Sequence, residues 1–292
     1  MNDIVIARYA EDLAWITGIP DEFKVYIHNK GPALTDPAVR ARAAAVIDCE
    51  NTGRESETYL RHIAGCGEPT GEYTVFVQGD PFEHSPDFLA LLGAWRQWGD
   101  VQPLSWRWKV ARDIPATPIL QRETGQFIDG LRVRPELFSL MSWSPLGFYD
   151  VGTQWLDATY RDIHSLPEGV SIASHFLRLC DLDVLAAAAD RHRLGVFSYG
   201  AVFGVRQSRL TAVRPDQVER LRQAALGHQV YGYVLERLWL HLFGAEFVLP
   251  LTDPASAPVR SGGGFVPLDR TSPRARKLRR IARRVSRALT SR

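Results

Sequence analysis

Three stretches of the 292-residue chain carry side chains whose types and spacing could do chemistry. The first is Asn51-Thr52-Gly53-Arg54-Glu55, continuing through Tyr59 to His62. Thr52 and Glu55 stand at capping-box spacing, which predicts a helix start. A helix N-terminus presents unpaired N–H groups and a partial positive charge, a ready place for an anion. Gly53 would let a phosphate approach the backbone, and Arg54 would add a guanidinium fork. Glu55, Tyr59 and His62, at i, i+4 and i+7, share one helix face. The same pattern also describes a capped surface helix with ordinary ion pairs, and spacing alone favours that plainer account.

The second stretch is Gln78-Gly79-Asp80-Pro81-Phe82-Glu83-His84, just past an apolar run. Asp80 and His84 offer donors that suit Mn²⁺ or Mg²⁺. Gly, Asp and Pro are equally at home in a simple turn. The third is Glu236-Arg237, set between Val234-Leu235 and Leu238-Trp239. Charges in so apolar a helix are costly unless paired or used. Glu236 could be a general base with a raised pKa, or half of a structural ion pair. His164, His175 and His192 lack ligand spacing. No nucleophile elbow or P-loop occurs, and Arg8-Tyr9-Ala10 lacks the dinucleotide glycines.

These residues need elements to hold them. Asp3–Tyr9, Phe23–His28 and Glu72–Gln78 read as strands. Ala38–Val46, a segment from Thr52 to about Ile63, and Asp87–Trp95 read as helices. The order predicts a doubly wound, mostly parallel α/β sheet. Ligands of such sheets bind beyond the carboxyl ends of the strands. That rule selects Arg8, Tyr9, Asn29, Lys30, Gln78 and Asp80, and it predicts one cavity shared by Arg8, Lys30, Arg54 and Asp80. The Trp- and Pro-rich residues 99–170 suggest short strands and long loops. Beyond them, Ile172–Leu179, Asp183–His192, Pro215–Ala225 and Tyr231–Phe243 read as helices, and Ser198–Val205 as a strand.

Charge divides the chain. Residues 270–292 hold ten Lys or Arg and no acid, so the net +2 of the whole leaves about −8 for residues 1–269. An acidic body argues against nucleic acid as a partner. The expected organisation is a domain over 1–250, a linker over 251–269 and a basic tail over 270–292. In the tail Leu278, Ile281, Val285 and Leu289 recur between arginines, which suits an anionic membrane surface. The N-terminus lacks a signal-peptide pattern, so the expected location is cytoplasmic, with peripheral contact at the inner membrane face. Cys49, Cys66 and Cys180 fit neither a disulfide framework nor a zinc spacing.

Asn51-x-Gly-Arg-Glu-x-x-x-Tyr-Leu-x-His-Ile63 resembles the motif of a family known only as a domain of unknown function. IVIARYAEDLAWI, YIHNKG, FVQGDPFEH, AVFGVRQSRL and YVLERLW extend the resemblance from about residue 3 to residue 244. That family is distantly similar to GT-A glycosyltransferases, which use nucleotide-diphosphate sugars, often with Mn²⁺ on an Asp-x-Asp motif. The resemblance implies that Asp80 falls where that motif begins, with Phe82 in place of the second Asp and His84 further on. It places Arg8, Tyr9, Asn29 and Lys30 on the nucleotide side, Tyr199–Phe203 on the acceptor-side strand, and Glu236 as the late catalytic carboxylate.

The reading is a glycosyltransferase-like enzyme. Arg8, Tyr9, Asn29, Lys30, Asn51, Gly53, Arg54, Tyr59, His62, Gln78 and Tyr199 would bind substrate. Asp80 and His84 would hold a divalent cation, and Glu236 or Glu55 would deprotonate an acceptor hydroxyl. The alternative is a non-catalytic module of the same fold that holds a glycan or a protein.

Overall fold

The computed structural model describes residues 1–65, 71–106, 126–145 and 151–250, all within the compact unit Met1–Leu251. The expected linker and basic tail lie outside the described residues.

The strands in chain order are β1 (Asn2–Arg8), β2 (Phe23–Asn29), β3 (Ala43–Asp48), β4 (Tyr73–Gln78), β5 (Val101–Pro103), β6 (Gln126–Ile128), β7 (Leu131–Val133), β8 (Glu136–Ser139), β9 (His192–Phe197), β10 (Phe203–Arg206) and β11 (Val248–Pro250). The helices are α1 (Pro37–Arg42), α2 (Arg54–Gly65), α3 (Phe88–Gly93), α4 (Val151–His164), α5 (Ile172–Leu179), α6 (Asp183–Asp190), α7 (Gln207–Leu210), α8 (Pro215–Gly227) and α9 (Gln229–Leu242).

A six-stranded sheet in the order β3-β2-β1-β4-β10-β5 organises the unit. β1, β2, β3 and β4 run parallel, and β10 is antiparallel to both β4 and β5. The protein is therefore mixed α/β with a mostly parallel central sheet. The chain steps outward from β1 through β2 to β3, then returns to the other side of β1 as β4. That reversal makes the β1/β4 rim the switch point where such sheets hold ligands.

The central strands β1 and β4 are covered on both faces, so their middles are continuous apolar runs. Ile4, Ile6, Val25, Val75 and Val77 pack with Phe88, Leu91 and Leu92 of α3. Val5, Phe76, Phe203 and Val205 face the other way, onto Tyr59 and Leu60 of α2 and Leu235, Leu238 and Trp239 of α9. A second sheet, β11-β9-β8, is antiparallel throughout, and β6 and β7 form a hairpin.

Three expectations need correction. Residues 99–170 are not only short strands and loops, since Val151–His164 forms helix α4. Ala38–Val46 is not one helix. α1 ends at Arg42, and Ala43–Asp48 forms edge strand β3, because pairing to β2 outweighs the helical preference of alanine. Nor is Ser198–Val205 one strand. Gly200 and Ala201 take positive φ, 70° and 52°, which interrupts the chain between β9 and β10.

Candidate functional site

The polar residues at the strand ends are where the sequence places them, but most bind the protein itself. Arg8 is buried, and its Nη1 donates to Asn29 Oδ1 (2.5 Å) and Pro32 O (2.8 Å) while its Nε donates to Glu11 O. Asn29 Nδ2 donates to Asp48 Oδ1 at 2.9 Å. Tyr9 is exposed, and its amide donates to the Glu11 carboxylate at 2.7 Å. Gln78 stands half-buried beside Ala7 at the end of β4.

Lys30 has the clearest structural duty. Its ammonium donates to Thr52 O (2.6 Å) and Arg54 O (2.5 Å), and it lies 3.3 Å from Glu57 Oε2, with its side chain 4% exposed. An ammonium has three donors, so these contacts account for all of them. Lys30 clamps the loop before α2; it does not present a charge to a phosphate. Gly53 is likewise corrected. With φ at 61°, a Cβ there would come within 2.5 Å of Glu57 Cβ and 3.2 Å of Ala225 O, so close packing on the protein itself requires glycine here. Asn51 and Thr52 are exposed. The Glu57 amide donates to Gly53 O at 3.0 Å, so the helix starts after Gly53, and Glu55 is released from a Thr52 capping box. Arg8, Lys30, Arg54 and Asp80 therefore turn to separate partners, and the expected common phosphate cradle is not formed.

What does assemble is a group of polar side chains from the packed helices α2 and α9 and the Gly200 turn. Glu55 is buried, 3.5 Å from Arg54 Nε. Burial pushes its carboxyl above the usual range; Arg54 opposes this, and the charge of Glu236 adds to it. Glu236, half-buried on α9, accepts from the Gly200 amide through Oε1 at 3.2 Å, and its Oε2 lies 3.9 Å from Arg237 Nη1. The Tyr59 hydroxyl donates to Ala201 O at 3.2 Å, and its pKa is raised by burial and then by Glu55 and Glu236. Gly200 has no room for a side chain: a Cβ would meet the His84 ring at 2.4 Å. His84 also packs edge-on against Tyr199, with centroids 4.7 Å apart. Arg54, itself at φ 54°, lays its guanidinium over Tyr233 at 4.3 Å and donates from Nη1 to the Tyr233 hydroxyl at 2.9 Å.

Glu55, Tyr59, His84, Tyr199, Glu236 and Arg54 are thus brought together by two backbone turns with positive φ, Gly53-Arg54 and Gly200-Ala201. Strained backbone of this kind collects at functional sites. His62 departs from the expected grouping. It turns to β2, where its Nδ1 lies 3.4 Å from His28 Nε2. Burial first, then Arg61 for His28 and His28 for His62, lowers each imidazole to about 4.

Asp80 is exposed and accepts from the Phe82 amide at 3.0 Å, as an ordinary turn aspartate does. Among the described residues no group of three or more His, Cys, Asp or Glu side chains could hold a metal ion. A cation at Asp80 would have to draw most of its ligands from substrate, a mode that suits Mg²⁺. Cys49 and Cys180 are free thiols, while Cys66 lies outside the described residues.

Sequence reasoning missed Tyr233, Gly200 and Glu11. Tyr233 was findable, since it precedes Glu236 by three residues on one helix face. Gly200 needed its φ, and Glu11 needed the fold of the loop after β1. Compared with known families, characterised proteins and solved structures, the chain matches none.

Proposed function

We propose that the protein is a glycosyltransferase-like enzyme whose proton-handling centre is the Glu55–Glu236 pair. The observation that carries this reading is a pair of carboxylates on two packed helices, Glu55 buried on α2 and Glu236 held by the Gly200 amide on α9, near the carboxyl ends of a mostly parallel sheet. Placing like charges together destabilises a fold, and such arrangements cluster where proton transfer is needed.

In the proposed reaction Glu236 takes the proton of an acceptor hydroxyl. The acceptor oxygen forms a bond to the anomeric carbon of a nucleotide-diphosphate sugar, and the bond from that carbon to the phosphate oxygen breaks. The nucleoside diphosphate leaves with the electron pair. Glu55, held toward its neutral form, keeps the site from carrying two full negative charges. A divalent cation, when bound at Asp80 with the donor phosphates, would neutralise charge on the leaving group.

The motif resemblance supports this reading, and a GT-A-like form of the sheet is part of the same proposal. The basic stripe of residues 270–292 would bring a cytoplasmic enzyme to an anionic membrane surface. Among the described residues no helix is long and apolar enough to cross a membrane.

Calorimetry of the full chain with UDP, GDP, CDP and their sugars, with and without Mn²⁺, tests the donor. A folded sample that binds none of them sinks the reading. One observation favours a second reading, a non-catalytic glycan- or protein-binding module: Arg8 and Lys30 are engaged within the protein. Glu236→Gln and Glu55→Gln separate the two, because a binding module keeps its cellular role in both variants and an enzyme does not.

A further inference from the structure

Arg54 is fixed on three sides and open on the fourth. Its aliphatic stem crosses Gly232, where a Cβ would come within 3.0 Å of Arg54 Cδ. Its guanidinium stacks on Tyr233 and donates to the Tyr233 hydroxyl. Its Nε stands 3.5 Å from Glu55, and the side chain is nevertheless 44% exposed. The platform beneath it is itself braced. Trp155 meets Tyr233 edge-on at 6.1 Å, and Trp143 Nε1 donates to the Tyr233 carbonyl at 3.4 Å. A guanidinium has five N–H donors. Tyr233 and Glu55 engage two of them, leaving three on a group that has already lost its freedom to turn. A fork held in this way binds a carboxylate or phosphate with two parallel hydrogen bonds.

Tyr233 and Glu236 are three residues apart on α9, hence neighbours on one face. The platform under Arg54 and the carboxylate that would take the acceptor's proton therefore lie on the same face of α9. An anion seated on Arg54 sits near Glu55 and Glu236, so each extra charge it carries is repelled. A nucleoside diphosphate is poorly suited to that position, and a group of lower charge suits it better.

We infer that Arg54 is a specificity-determining anchor for an acidic acceptor, a sugar-like polyol bearing a carboxylate or a phosphate. The inference rests on the glycosyl-transfer reading of the same site. It differs from the expected use of Arg54 on the donor diphosphate.

The test is calorimetry of the full chain with glucose, glucuronate and glucose 6-phosphate, and separately with a nucleoside diphosphate. Wild type, Arg54→Gln and Arg54→Lys are compared, and thermal melting checks that each is folded. Both acids, or the one whose geometry matches, should bind at least tenfold tighter than glucose. The glucuronate and glucose 6-phosphate arms tell carboxylate from phosphate. Arg54→Gln should reduce acid binding to the level of glucose and leave nucleotide binding unchanged, while Arg54→Lys should recover only part of the preference. Equal binding of the three sugars, no binding of either acid, or a preference that survives Arg54→Gln overturns the inference. So does a matching loss of nucleotide affinity in Arg54→Gln, which would return Arg54 to the donor. Nucleotide binding without acid preference leaves the transferase reading standing, and acid preference without nucleotide binding removes that reading and keeps the anchor.

Discussion

Glu55 and Glu57 leave α2 two residues apart, and both are buried, yet their surroundings are opposite. Glu57 faces the parallel half of the sheet. Burial alone would raise its pKa, but Arg61 at 2.7 Å and Lys30 at 3.3 Å outweigh that and hold it below the ordinary value; Arg222 stands 3.4 Å away. Glu55 stands 3.5 Å from one arginine, Arg54, and its pKa is raised by burial, with the charge of Glu236 adding to the effect. Charge on the Glu57 side is neutralised within the protein, and charge on the Glu55 side is left partly uncompensated. Position beside the sheet rim is thus a poor guide to ligand binding until the partners of each polar group are known.

Removing the two carboxylates should give the largest contrast. Glu57→Gln leaves the buried Lys30 charge without its counter-ion and should destabilise by about 3 kcal/mol in urea unfolding. Glu55→Gln imitates a protonated acid and should cost less than about 1 kcal/mol. Equal losses would erase the distinction drawn between them.

Acidity separates the regions next. His28 and His62 have folded pKa values of about 4 against 6.5 unfolded, so the unfolded state binds more protons between these limits. Their contribution is complete above pH 6.5 and falls away as pH drops toward 4, by on the order of 3 kcal/mol for each imidazole held neutral. His241, buried on α9 and also lowered to about 4, adds to that acid limb. Glu136 on β8 has the opposite sign. Burial raises it to about 7, against the pull of Arg134, so its contribution is present below pH 4.5 and is lost as pH rises through 7. Between pH 4.5 and 6.5, where the histidine contributions grow with pH, unfolding free energy should rise less steeply in wild type than in Glu136→Gln.

A smaller effect is expected at the turn that joins the halves. Gly200→Ala adds a Cβ against His84 and forces a side chain into positive φ, which should destabilise by about 2 kcal/mol. It should also weaken any ligand that depends on Glu236, measured by calorimetry. Smallest is Asp80→Ala, an exposed turn position, which should change stability by no more than about 0.5 kcal/mol. A large loss of Mn²⁺-dependent nucleotide binding in the same variant would make Asp80 a metal ligand despite its ordinary surroundings.

Much of this molecule was legible before its structure. The alternating or continuous apolar runs gave β1, β2 and β4, and their polar ends fell within a residue of the expected places. Ile172–Leu179 has the observed limits of α5, since its periodicity and Ser171 cap act locally. The failures were non-local. β3 depends on β2, and the role of Lys30 depends on a loop twenty-two residues away. α4 sits in the Trp-rich region expected to be strands and loops. Glu55 and Glu236 were each singled out as carboxylates, but they stand 181 residues apart, and only the packing of α2 on α9 relates them.

The clamp at Lys30 has an experimental use. Its amine is walled in by two carbonyls and a carboxylate, so an acylating reagent can reach it only when the Thr52–Arg54 loop lifts. The rate at which that amine is modified would serve as a clock for loop opening, and a ligand that seats on Arg54 should slow it.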